Sequence, residues 1–226
     1  MTTAVTETMP HSALATASLI SPEVPPQVWA RHFAREPLRL GVLASGSGTN
    51  FEAIAQAIAD QKLNAQIQVL VYNVPTAKAA VRANQWNIPS VLLNHKEFPS
   101  REALDEAIVQ TMQQHQVDWV IMAGWMRIVT PVLINAFPNH LLNIHPSILP
   151  SFPGVRAIEQ ALAAGVKFTG CTVHHVIPEV DSGPIIIQAV VPILPGDDAN
   201  SLHARVQVQE HRIFPMAIAL AADAAQ

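Results

Sequence analysis

Asn143 and His145 stand two residues apart at the end of an apolar run, Leu-Leu-Asn-Ile-His, that meets Pro146, Pro150 and Pro153. On an extended backbone alternate side chains leave the same face, so an amide donor and a titratable imidazole would enter one space while Leu142 and Ile144 face the other way. A titratable imidazole beside an amide donor is a pair that could carry chemistry, with the imidazole suited to moving a proton. Proline lacks the N–H of a sheet ladder, so the strand is expected to stop at His145 and pass into a stiff loop. The same residues would serve equally in a core strand whose Asn and His satisfy local hydrogen bonds. A second candidate is Ser45-Gly-Ser-Gly-Thr-Asn50, placed between a predicted strand and a predicted helix. Glycine backbones there let N–H groups and the helix dipole face an anion, as a phosphate cradle does. The Gly-Lys-Ser/Thr of a triphosphate-binding loop is missing, and Phe51 and Asn73 stand where a dinucleotide loop needs a third small residue and an acid. An ordinary tight turn is the alternative, but Ser45, Ser47, Thr49 and Asn50 favour a monophosphate.

The elements that must position these groups follow a regular alternation. Apolar periodicity predicts strands over 38–44, 67–72, 90–93, 119–123, 141–145, 168–176 and 185–191, and helices over 50–60, 77–86, 101–115, 155–164 and 201–222. Ser100 is the expected cap of the third helix and Gly165 the left-handed stop of the fourth. Strands apolar on both faces, alternating with helices, imply an α/β fold. Its sheet is doubly wound and mostly parallel, with helices on both faces and an antiparallel strand addition toward the C-terminus. Ligands in such sheets bind beyond the carboxyl ends of the strands. Residues 1–37, rich in Thr, Ser, Ala and Pro, read as a disordered or loosely docked leader, with Val28, Trp29 and Phe33 hinting at a short amphipathic turn. Residues 38–226 form the expected catalytic domain.

A net charge of -4 with 13% charged residues leaves no electrostatic footprint for nucleic acid or an anionic membrane. Cys171 is the only cysteine, which excludes an intramolecular disulfide and a Cys-based zinc site. A cytoplasmic, membrane-free protein is expected. His174 and His175 are adjacent in a predicted strand and face opposite ways, so they are not expected to chelate a metal together.

Ser45-Gly-Ser-Gly-Thr-Asn50, Ala123-Gly-Trp-Met-Arg-Ile128, Leu142-Asn-Ile-His-Pro-Ser147, Asp181-Ser-Gly-Pro184 and Gln207-Val-Gln-Glu-His211 occur in one chain in this order. In order and spacing they resemble folate-dependent phosphoribosylglycinamide formyltransferases, over roughly residues 38–220. The resemblance implies that the amine of glycinamide ribonucleotide takes a formyl group from the co-substrate 10-formyltetrahydrofolate through a tetrahedral intermediate, without a metal. It implies that Asn143 donates to the oxyanion, that His145 carries the proton, and that Asp181 sits beside His145 and favours its imidazolium form. It places Gly48, Thr49 and Asn50 at the substrate phosphate and Gln207, Val208, Gln209 and Glu210 along the rest of the ribonucleotide. The folate side would be lined by Arg101, by Met126, Arg127, Ile128 and Val129, by Asn143, and by Ile177, Pro178, Glu179, Val180 and Asp181.

Each role has a plainer counterpart. Asp181 could be a turn residue, Arg127 an ion-pair partner, Arg101 a first-turn helix charge, and Glu210 part of a solvated helix face. Expected partners are the two small molecules, with no nucleic acid and a monomer or homodimer as the assembly. Rival readings are a hydrolase releasing formate from the same folate, a formyltransferase acting on charged tRNA, for whose RNA-binding domain there is little positive charge, and a silent folate- or nucleotide-binding protein.

Overall fold

The computed structural model describes residues 19–225. Its elements, in chain order, are Ile20–Ser21 (β1), Pro26–Phe33 (α1), Leu38–Ala44 (β2), Thr49–Ala59 (α2), Ala65–Tyr72 (β3), Lys78–Gln85 (α3), Ser90–Leu92 (β4) and Arg101–Gln114 (α4). Trp119–Met122 (β5), Pro131–Ala136 (α5), Leu141–His145 (β6), Ala157–Ala163 (α6), Phe168–His175 (β7), Ile185–Pro192 (β8) and Ala199–Ala224 (α7) complete the series. The strands make one sheet in the order β1-β8-β7-β6-β5-β2-β3-β4. From β4 to β6 neighbours run parallel, whereas β7, β8 and β1 are added antiparallel.

The two-sided burial expected of a parallel sheet follows from alternation along β2. Leu40, Val42 and Ala44 join Phe51 and Ile54 of α2 and Ile213 and Phe214 of α7 in one core. Leu43 points the other way, into a second core with Ile108 and Met112 of α4 and Leu133 of α5. From β2 the chain moves outward to β3 and β4, then returns to place β5 on its other side. The carboxyl ends of β2 and β5 therefore flank a switch point, the position at which open α/β sheets leave a crevice.

Several boundaries differ from those read in the sequence, for local reasons. α6 starts at Ala157 because Gly154 and Arg156 take left-handed φ values of 78 and 59 and keep the chain in a turn. α7 starts at Ala199 because Asp198 and Ser201 cap it reciprocally. The six-residue α5, begun by Pro131 behind the cap Thr130, was too short to leave a period. Within the described part of the expected leader, β1 pairs with Gln188 and Ala189 of β8, and α1 buries Val28 and His32. Residues 1–18 of that leader lie outside the described residues.

Candidate active site

β6 ends at His145, and its antiparallel pairing with β7 sets the site. Asn143 lies opposite His174, and His145 opposite Thr172. Residues directly opposite across a sheet share a face, so His174 joins the two residues already singled out. The chain then leaves β7, turns, and returns as β8. Gly183 lets this turn fold back, since a Cβ there would lie 1.8 Å from the His175 carbonyl oxygen. The turn carries Asp181 over the end of β6.

Asp181 Oδ2 is 3.2 Å from His145 Nδ1 and accepts from the Gly154 amide at 2.8 Å. Its Oδ1 is 3.4 Å from Asn143 Nδ2 and 3.6 Å from His174 Nε2. His174 Nε2 also lies 3.2 Å from Asn143 Nδ2. Burial alone would push the Asp181 carboxyl up, but the His174 ring, the Gly154 N–H and the charge on His145 outweigh it and hold the group below the usual carboxylate range. His145 Nε2 meets the Phe152 carbonyl at 2.9 Å, so both ring nitrogens face oxygen acceptors. Phe152 is delivered by the proline loop, which the buried Thr172 hydroxyl fixes by donating to the Ser147 carbonyl at 2.7 Å and accepting from Leu149 N at 3.1 Å.

The glycine loop lines the same cleft, a cavity of about 650 Å³. Gly48 adopts φ 74, and a Cβ there would come within 2.7 Å of Ala79 Cα, so glycine is required by backbone conformation and by α3 packed behind it. Gly48, Thr49 and Asn50 line the cleft at the start of α2, where the first-turn N–H groups of a helix have no intrahelical acceptors. Arg82 of α3 braces the loop from outside, donating from Nε to the Ser47 carbonyl at 2.9 Å and pairing with Glu52. Asn50 is buried, its Nδ2 donating to Glu210 at 2.9 Å, while its Oδ1 has no partner among the described residues. Gln207 Nε2 donates to the Thr49 hydroxyl at 2.8 Å. Burial pushes the Glu210 carboxyl up, against the Asn50 hydrogen bond and the charge of His203. Glu210 is thus an interior group and not part of a solvated helix face.

Residues 126–129 and 177–181 also line the cleft, but Arg101, Val208 and Gln209 do not. Gln207 and Glu210 are three apart and share the helix face turned to the cleft, whereas Val208 is exposed and Gln209 is buried beside Arg212. Arg101 is exposed at the start of α4. The residue missed in the sequence is His174. Its signal was the alternation 172, 174 against 143, 145, legible only once β6 and β7 are known to pair in that register. Among the described residues no group of three His, Cys, Asp or Glu is placed to hold a metal ion.

A Formyl transferase family model matches residues 38–218. The chain belongs to the formyl transferase family. A phosphoribosylglycinamide formyltransferase of Bacillus subtilis is 38% identical over 180 residues, covering 80% of this chain and 92% of the relative. The trifunctional purine biosynthetic protein adenosine-3 of Drosophila pseudoobscura is 43% identical over 83% of the chain, which spans only 14% of that longer protein. A crystal structure of glycinamide ribonucleotide transformylase 1 from Symbiobacterium toebii superposes with a TM-score of 0.82 at 44% identity, covering 83% of this chain and 89% of that one. The matched span takes in every element from β2 to most of α7, and with it Asn143, His145, Asp181 and the glycine loop; α1 and β1 fall outside it.

Proposed function

We propose that this protein transfers the formyl group of 10-formyltetrahydrofolate to the amine of 5-phosphoribosylglycinamide, a step of purine biosynthesis. The observation that carries the reading is the convergence of Asn143, His145 and Asp181 in a single cleft that is also lined by the glycine loop at the N-terminus of α2. A nucleophile held by its phosphate at the loop would reach an acyl carbon held at Asn143. The family match and the names of the similar proteins support this choice among formyl-folate reactions.

The acceptor amine attacks the formyl carbon, a C–N bond forms, and the carbonyl oxygen takes the electron pair. Asn143 Nδ2 donates to that oxygen as charge appears, turning from Asp181 and His174 toward the cleft; donors aimed at a developing oxyanion supply a large catalytic term. Collapse breaks the bond to the folate nitrogen. The proton lost by the attacking amine has to reach that nitrogen, and His145 with Asp181 is the pair that holds a proton nearby. With Nε2 on the Phe152 carbonyl, the exchange runs through Nδ1 and the Asp181 carboxylate. The apolar rim at Met126, Ile128 and Val180 suits the flat folate ring. His174 completes the cluster, keeping the Asn143 amide oriented.

Both substrates are small molecules, and no described helix is long and apolar enough to cross a membrane. A cytoplasmic enzyme acting as a monomer or homodimer is part of the same reading. The test is incubation of the purified protein with 10-formyltetrahydrofolate, with and without glycinamide ribonucleotide. Formylated acceptor and tetrahydrofolate should appear in equal amounts, and only when the acceptor is present. Formate release without acceptor would make the protein a hydrolase, and binding without turnover would make it a silent binding protein.

A further inference from the structure

The segment between β5 and α5 brings residues 126–128 to the cleft and is tied down at both ends. At the near end Ser45 N donates to the Gly124 carbonyl at 3.0 Å, and Met126 N donates to the Ser45 hydroxyl at 2.8 Å, so the glycine loop and this segment share a hinge. Trp125 and Val129 turn inward, into the core formed with Leu104, Ile108 and Leu133. Met126 and Ile128 remain on the outside, 72% and 49% exposed. At the far end the Thr130 amide donates to Asp105 Oδ2 at 2.5 Å, and the Thr130 hydroxyl accepts from Val132 N to begin α5.

Asp105 is the odd member of this arrangement. It lies on α4 between Leu104 and Ile108, 2% exposed, and does not line the cleft. Packing of α4 would be served better by an apolar side chain, because a buried carboxylate has to recover its lost hydration through hydrogen bonds. What this one obtains is the amide and hydroxyl of Thr130 at the end of the cleft segment; burial still pushes its carboxyl up, with Glu102 and against those hydrogen bonds and the Arg127 guanidinium of the same segment. The carboxylate therefore exchanges helix packing for control of the loop.

We propose that Asp105 is a positioning residue for the formyl-donor half of the site: from behind the cleft it fixes the end of the segment that presents residues 126–128, without touching either substrate. The assignment rests on the functional reading above, in which that segment faces the folate. Without the anchor the segment would be held by Ser45 and by apolar contacts alone, and the ordering it loses would have to be recovered on binding the donor. The acceptor half is built on α2 and α7, through the pairs Asn50–Glu210 and Thr49–Gln207, whereas Asp105 binds Thr130 of the other half.

The experiment compares native protein with Asp105→Leu, which fills the space but accepts nothing, and Asp105→Asn, which keeps an oxygen for the Thr130 amide. Steady-state constants are measured for both substrates, with a thermal melt for each variant. Asp105→Leu should raise KM for 10-formyltetrahydrofolate about 10-fold, with kcat and the acceptor KM within about twofold, and Asp105→Asn should restore the donor KM to within about threefold of native. An unchanged donor KM in a folded Leu variant would overturn the proposal, as would parallel losses in both substrates. Should the Leu variant not fold, Asp105→Ala takes its place, and failure of both to fold would assign Asp105 to the core and end the proposal. A native protein that transfers no formyl group would instead sink the functional reading, before any variant is compared.

Discussion

Asp181 has a backbone φ of 52 and a carboxylate shared among Gly154, His145, Asn143 and His174. A non-glycine residue held in the left-handed region costs on the order of 1–2 kcal/mol, and Asp and Asn bear it best. Asp181→Asn keeps the turn and an oxygen for the Gly154 N–H, while it removes the charge and the acceptor that faces Asn143 and His174. If that charge sustains the proton on His145, the transfer rate should fall about 10²-fold while both KM values stay within a few-fold of native. Activity within threefold of native would limit Asp181 to building the turn. The sequence revealed these residues unevenly. Asn143 and His145 were legible because alternation alone puts them on one face and prolines end their strand. Asp181 became a candidate only through resemblance, since no local pattern says that a turn beyond β7 folds back over β6. His174 has no comparable local signal, because its partner across the sheet is set by the long-range register of β6 and β7.

At the scale of elements, α1 shows how a segment with weak local pattern is fixed by contacts distant in sequence. Its His32 is fully buried and accepts the Asn64 amide through Nε2 at 2.9 Å, while the Asn64 side chain donates back to the carbonyls of His32 and Arg35 at 3.0 and 2.8 Å. Arg31 pairs with Asp223 of α7 at 2.6 Å, and Arg35 donates to the Ala222 carbonyl at 2.9 Å. Burial, reinforced by Arg35 and opposed by Asp223, lowers the His32 pKa from 6.5 to about 4. The unfolded chain takes up a proton between these values that the folded protein does not. The stability due to neutral His32 is thus complete above about pH 6.5 and is lost as pH falls toward 4. That loss amounts to on the order of 2 kcal/mol after allowance for the solvent near this surface helix. Burial also lowers the pKa of His175 and His211, which adds in the same direction. In thermal melts from pH 7 to 5, His32→Gln should lose less stability than native protein. Parallel curves for the two would show that protonation of His32 is not part of the acid response. Residues 26–33 were legible only as a hint of amphipathic character, because neither Asn64 nor Asp223 is within reach of a local reading.

The whole molecule separates chemistry from closure. The proposed chemistry lies at the switch point between β2 and β5 and along β6, where alternating strands and helices predict a ligand crevice. Closure is made elsewhere: β1 covers the edge of β8, and α1 joins the end of α7 to the turn between α2 and β3. Neither contact reaches the cleft, and both use residues outside the span shared with the formyl transferase family. Removal of residues 1–36 should accordingly leave kcat within about twofold of native. It should also lower the melting temperature, because the buried Val28 is lost from the core, the Asn64 groups are returned to water, and β8 gains a bare edge. Loss of one buried valine and the three Asn64 hydrogen bonds corresponds to roughly 3–7 kcal/mol, or about 6–28 °C for a domain of this size. A truncated protein that melts like the native one would mean that α1 contributes nothing to closure. One that stays folded but loses turnover would mean that the first 36 residues help to shape the cleft through the far ends of β8 and α7, and the division between chemistry and closure would have to be withdrawn.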